Sequence, residues 1–203
     1  GTLTVDGVIK KSSNIGTAKI INQYYGGNPN SFFEKLDKWH MTKPLDIDVL
    51  GEGRPIMHRP DSKAWSNITL PVMGYGYGLQ LTPIQIVTFY NAVANNGKML
   101  KPLFMDRITK KGEADKNFQP VVLVDQLTSL ENIKQMQEML RGAVEQGTGK
   151  IISNSNYDIA GKTGTARVDY WKKDGKGMQY RASFAGYFPA EKPKYSCIVV
   201  VHK

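Results

Sequence analysis

The chain has 203 residues, 40% of them hydrophobic and 22% charged, which is ordinary for a soluble globular protein and long enough for one compact domain. The formal charge of +9 comes from scattered lysines and arginines, the densest stretch being Lys172, Lys173 and Lys176, so it reads as a basic solvated surface and no nucleic-acid partner is expected. No run approaches the roughly 20 apolar residues of a membrane span, the N-terminus lacks a basic and apolar leader, and the lone Cys197 excludes an internal disulfide.

Ile15, Ala18, Ile21 and Tyr25 fall on one helical face closed by Gly26 and Gly27, which puts Ser12, Ser13 and Asn14 where a helix begins. A second helix is predicted from Asn30, as cap, through Phe33, Leu36 and Trp39. From His40 to Met73 prolines, glycines and charges recur without period, as in a long surface excursion. Gly74, Gly76 and Gly78 then alternate with Tyr75 and Tyr77. Thr82 as cap and Pro83 at the first helical position open an apolar helix to Ala94, stopped by Asn96 and Gly97.

Thr128 with Glu131 resembles a capping box, and Leu130, Ile133, Leu140 and Val144 extend one helical face before Gly147. Tyr157 to Ala166, Tyr180 to Phe188 and Tyr195 to Val201 read as successive strands separated by the Lys172 to Gly177 loop and a turn carrying Pro193. Short connections imply an antiparallel sheet, with Cys197 as a buried strand thiol. The expected fold is α+β, with residues 1–150 mainly helical and 151–203 forming the sheet.

Two triplets carry chemistry. A Ser-x-Asn such as Ser12-Ser13-Asn14 arises by chance in roughly half of chains this long, whereas Lys162-Thr163-Gly164 is expected in only a few per cent. A hydroxyl such as Ser12 near a lysine can relay protons between a nucleophile and a leaving amine. Asn14 can hold a lysine with one end and a substrate amide with the other. Lys162 supplies positive charge beside a carboxylate, Gly164 lets a ligand backbone lie close, and Thr165 offers a hydroxyl and a backbone N–H suited to an oxyanion. Singly, each residue also fits a plain role, Ser12 to Asn14 as helix caps and Lys162 as an edge-strand gatekeeper. The Ser-x-x-Lys pattern that would supply a nucleophile occurs at none of the serines, and His40, His58 and His202 lack metal-ligand spacing, so no metal or cofactor is expected.

Ser12 to Gly16, Gly74-Tyr75-Gly76, Thr82 to Gln85, Asn95-Asn96-Gly97, Val144 to Gly149, Ala160 to Ala166 and Phe184 to Pro189 occur in one order. Together they resemble the transpeptidase domain of the penicillin-binding proteins, specifically the monofunctional class B division type, which shares its fold with serine β-lactamases. The resemblance implies that Ser12 relays protons, that Asn14 binds lysine and substrate amide, and that Lys162 is the positive group of the site. Thr163 and Thr165 would bind the D-alanyl or β-lactam carboxylate, beside Gly164, with the Thr165 amide in the oxyanion hole.

The implied activity is peptidoglycan cross-linking by a D,D-transpeptidase through an acyl-enzyme on a serine upstream of Ser12. The chain is therefore expected to be a partial domain, without the nucleophile segment and a C-terminal helix, and inactive alone. Implied partners are peptidoglycan stem peptides, β-lactams and division or elongation proteins. A single-pass anchor outside this chain would hold the parent in the bacterial cytoplasmic membrane, with the domain on its outer, periplasmic side. Other activities on the same fold are a serine β-lactamase or a D,D-carboxypeptidase; a non-catalytic domain binding β-lactams or muropeptides is a different class.

Overall fold

A computed structural model describes residues 1–153, 156–168 and 179–202. The loop expected over Lys172 to Gly177, with its lysines, and the chain end at Lys203 lie outside the described residues. Helix α1 (Val5–Lys10), which the apolar spacing does not reveal, is capped by the Thr4 hydroxyl, which accepts from the Gly7 N–H at 3.1 Å. Of its residues only Val8 is buried, too little to write a periodic signal.

Helix α2 (Asn14–Tyr25) starts where the sequence pattern puts it, with the Ser13 hydroxyl accepting from Gly16 N. A Cβ on Gly16 would lie 2.5 Å from Val8 Cγ2, so glycine lets α1 and α2 approach closely. Helix α3 (Pro29–Lys38) is capped by Asn28 rather than Asn30. The reason is Pro29, whose missing N–H and fixed φ suit the first helical position.

The stretch from His40 to Met73 is less of a surface excursion than its composition suggests. Met41, Leu45, Leu70 and Met73 are buried, and Met41 and Met73 join Phe33 and Leu36 in one core. The stretch also contains β1 (Ile56–Met57) and α4 (Thr69–Met73), and β1 pairs antiparallel with β2 (Leu79–Gln80). Backbone groups fold inward because side chains satisfy them: the Glu52 carboxylate accepts from Leu45 N and Ile47 N.

Helix α5 (Pro83–Ala94) has the predicted Thr82 cap, and a full capping box in which Gln85 accepts from Thr82 N. Buried Gln85 also donates to the carbonyls of His40, Met41 and Lys43, stitching the irregular stretch to α5. Asn96 and Gly97 have φ of 54° and 95°, the left-handed stop expected of that pair.

The pairs β3 (Met99–Leu100) with β6 (Val122–Val124), and β4 (Arg107–Ile108) with β5 (Lys116–Asn117), are two-stranded and antiparallel. Such short strands carry no period-2 signature. Helix α6 (Leu130–Glu145) is capped by Ser129, whose hydroxyl accepts from Asn132 N, while the expected cap Thr128 accepts from the Asn132 side chain. Leu130 is exposed, and the buried face runs from Ile133 through Leu140 to Val144.

Strands β7 (Ala160–Val168), β8 (Gln179–Phe188) and β9 (Tyr195–His202) form an antiparallel sheet in the order β7-β8-β9. The first begins at Ala160, not Tyr157, and Cys197 is half-buried rather than buried. Helices α5 and α6 pack on the sheet through Ala92, Val93, Ile133, Leu140, Ala160 and Tyr187. The result is the expected combination of helices and antiparallel sheet.

Candidate active site

Ser12 occupies an unusual backbone position. Helix α1 ends with Ser12 N donating to Ile9 O and Ser13 N to Val8 O, the paired bonds of a Schellman stop. The residue at such a stop is left-handed and normally glycine, yet here it is serine at φ 51°. A side chain there costs about 1–2 kcal/mol, and strain of this kind persists where the side chain has a task. The Ser12 hydroxyl receives a short hydrogen bond from Lys162 Nζ, from a residue 150 positions away.

Lys162 is half-buried on β7, and burial pushes its pKa down from the ordinary lysine value. Its ammonium is held by oxygen: Ser12 Oγ, Thr148 Oγ1 at 3.1 Å and Thr163 O at 3.1 Å. Thr148 Oγ1 also lies 3.1 Å from Ser12 Oγ and 2.8 Å from Thr163 Oγ1. Four side chains from three separate segments therefore form one hydrogen-bonded cluster.

The strand order leaves β7 with one side unpaired by β8. Arg167 N donates to the Tyr77 hydroxyl, and Thr163 O accepts from Lys162, so both groups face away from β8. Antiparallel strands alternate in the direction of their backbone groups, which puts the N–H of Thr165 on the same outer side. Thr165 and Gly164 are exposed there. A Cβ at Gly164 would approach only the Ser183 hydroxyl, at 2.7 Å. An extended ligand thus has a strand edge to lie along, a backbone N–H to donate to it, and a cation and hydroxyls at one end.

Ser12, Lys162 and Thr163 are brought together, with Gly164 and Thr165 next along the edge. Asn14 is exposed at the first turn of α2 and makes no hydrogen bond to Lys162 among the described residues. It lines a cleft of about 510 Å³ between α2 and α4, with Ile15, Asn67 and Tyr75. Thr148, given no role from sequence, holds the place beside Lys162. Its signal is the Gly147-Thr148-Gly149 run: a Cβ on Gly147 would lie 2.3 Å from Lys10 O, so glycine admits the contact that anchors Thr148 N to Lys10 O.

The family model of the penicillin binding protein transpeptidase domain matches residues 1–203. The probable peptidoglycan D,D-transpeptidase PbpC of Pseudomonas aeruginosa is 30% identical over 98% of this chain and 32% of its own length. The peptidoglycan D,D-transpeptidase FtsI of Escherichia coli is 26% identical, over 98% of this chain and 31% of its own. The chain thus spans about a third of the length of the curated relatives it matches. Among solved structures, Mycobacterium tuberculosis penicillin binding protein 3 complexed with aztreonam has a TM-score of 0.82 and 27% identity, over 98% of this chain and 45% of that one. The same protein complexed with ampicillin gives 0.82 and 28%, over 97% and 44%.

Proposed function

The chain belongs to the penicillin-binding protein transpeptidase family, and from that premise we propose that it forms part of a peptidoglycan D,D-transpeptidase domain. The observation that carries the reading is the Ser12, Lys162, Thr148 and Thr163 cluster at the outer edge of β7. A D-alanyl-D-alanine stem peptide lies extended along that edge, its carboxylate facing Lys162, Thr163 and Thr165. The Thr165 N–H donates to the oxygen of the carbonyl under attack, which gains negative charge in the transition state.

The attacking hydroxyl belongs to a Ser-x-x-Lys serine, a pattern these 203 residues do not contain. As its oxygen bonds to the carbonyl carbon, the bond to the terminal D-alanine nitrogen breaks. Ser12 passes a proton to that leaving amine and takes one from the attacking side, with Lys162 polarising its hydroxyl. An amine of a neighbouring stem then attacks the ester carbonyl; as the C–N bond forms the ester C–O bond breaks, and the proton lost by the amine passes by the reverse route to the departing serine oxygen, completing the cross-link. Asn14, at the lip of its cleft, orients the substrate amide. β-Lactams occupy the same edge and leave a stable acyl-enzyme.

The parent polypeptide is placed at the outer face of the cytoplasmic membrane by an anchor, and works with the division machinery. No helix among the described residues is long and apolar enough to cross a membrane. The test is peptide mapping of the full-length polypeptide after exposure to a fluorescent penicillin. The expected result is an adduct on a serine within Ser-x-x-Lys, lost in the Lys162→Ala variant. A folded polypeptide that acquires no adduct overturns the assignment.

A further inference from the structure

We propose that Thr148 is a positioning residue that sets the direction of the Ser12–Lys162 proton relay and ties it to the carboxylate-binding hydroxyl of Thr163. This inference rests on the transpeptidase reading above. Its basis is a count of donors and acceptors. An ammonium has three hydrogens to donate, and a hydroxyl has one to donate and two lone pairs to accept with. The three hydrogens of Lys162 go to its three nearest acceptors, Ser12 Oγ, Thr148 Oγ1 and Thr163 O, with Thr163 Oγ1 farther off at 3.4 Å.

Thr148 therefore accepts from Lys162, which leaves its own hydrogen for Thr163 Oγ1 at 2.8 Å, nearer than Ser12 Oγ at 3.1 Å. Its second lone pair then takes the hydrogen of Ser12. Each hydroxyl acquires a direction. Thr163, already accepting, turns its own hydrogen outward to a ligand carboxylate. Ser12 accepts from Lys162 and parks its hydrogen on Thr148 until an amine in the cleft competes for it. A carboxylate drawing on Thr163 strengthens the chain back through Thr148, since hydrogen bonds in series polarise one another.

The position of Thr148 is built. Its backbone N–H donates to Lys10 O at 3.1 Å, and Gly149 N donates to Ala143 O at 2.9 Å. Added Cβ atoms at Gly147 and Gly149 would lie 2.3 Å from Lys10 O and 3.1 Å from Ala143 O. The run is pressed between the end of α1 and the end of α6, and Thr148 is the side chain it delivers to the site. The charged groups on the elements around Lys162 include Asp6, Lys10 and Lys11 at α1, Arg141 and Glu145 on α6, Lys150 beyond the loop, Arg167 on β7 and Arg181 on β8; Asp6 is paired with Lys10 and Glu145 with Arg141. Among the described residues no carboxylate pairs with Lys162, so neutral oxygens alone offset its burial. Removing one of them disfavours the charged form and lowers the Lys162 pKa further.

The test uses the full-length polypeptide with Thr148→Val, which keeps the shape and removes the hydroxyl, and Thr148→Ser, which restores it. Two readouts are taken: the rate of acylation by a fluorescent penicillin across pH, and the titration of the Lys162 side-chain nitrogen by NMR. The valine variant is expected to acylate about 10- to 100-fold more slowly, with the Lys162 titration moved to lower pH, and serine to rescue both. An unchanged titration and pH profile in a folded valine variant, with wild type acylating normally, overturns the inference. If wild type itself does not acylate, the transpeptidase reading fails, and the Lys162 titration alone decides the role of Thr148. Should the valine variant not fold, the same titration in Thr148→Ala decides it.

Discussion

Gly147→Ala tests the packing that delivers Thr148. The added Cβ would lie 2.3 Å from Lys10 O, 2.8 Å from Ala143 O and 2.9 Å from Ala143 Cα. All three are backbone atoms, so no side-chain rotation relieves the contact, and ordinary van der Waals separation from Lys10 O requires a displacement of about 1 Å. Its φ is outside the left-handed region, so contact alone is the constraint. Overpacking costs about 1–3 kcal/mol, and loss of the Thr148 N to Lys10 O bond about 1 more, a total of roughly 2–4 kcal/mol. For a domain of this size that lowers the melting temperature by roughly 5–15 °C. The same displacement takes Thr148 Oγ1 out of reach of Ser12 and Lys162, both at 3.1 Å, and a misplacement of that size costs about 100-fold in rate. Thermal unfolding and penicillin acylation of the full-length polypeptide measure the two effects. A melt within about 2 °C of wild type with undiminished acylation would refute the packing argument.

Gly164→Ala should separate function from stability. Its Cβ meets only the Ser183 hydroxyl, which can rotate, so stability changes by about 0.5 kcal/mol or less while acylation falls; a large drop in melting temperature would show that the glycine serves the sheet instead. Gln85→Leu leaves the carbonyls of His40, Met41 and Lys43 without their buried donor and should cost about 1–3 kcal/mol in urea denaturation, an unchanged midpoint being the contrary result. Burial lowers the Lys162 pKa, so between that lowered value and 10.5 the unfolded chain binds more protons than the folded one. This residue therefore makes stability rise with pH through the window. Lys162→Met should flatten that rise in denaturation series run at increasing pH, and an identical slope would contradict the assignment.

Part of the site is legible in the sequence. The Lys162 strand at a sheet edge and the Ser12 to Asn14 helix start follow from local pattern, and the fold has both. Local pattern misplaces the caps at Asn28 and Ser129, by two residues and by one, because Pro29 fixes the first turn of α3 and because packing chooses between the neighbouring hydroxyls of Thr128 and Ser129 at α6. Helix α1 and the short strands leave no trace in it, since six residues with one buried side chain, or two residues in a ladder, carry no period.

What the sequence determined alone is whatever acts within a turn or along one strand. The Thr82-Pro83 start with Gln85 closing its box and the left-handed stop at Asn96 and Gly97 need no distant partner. Tertiary structure decided the rest. Ser12 is held left-handed by the end of α1, Gly147 lets the α6 loop meet Lys10, and β7 carries Lys162 to both. Hydrogen bonds between residues 14 to 150 positions apart depend on how whole elements pack, and no local pattern encodes that contact.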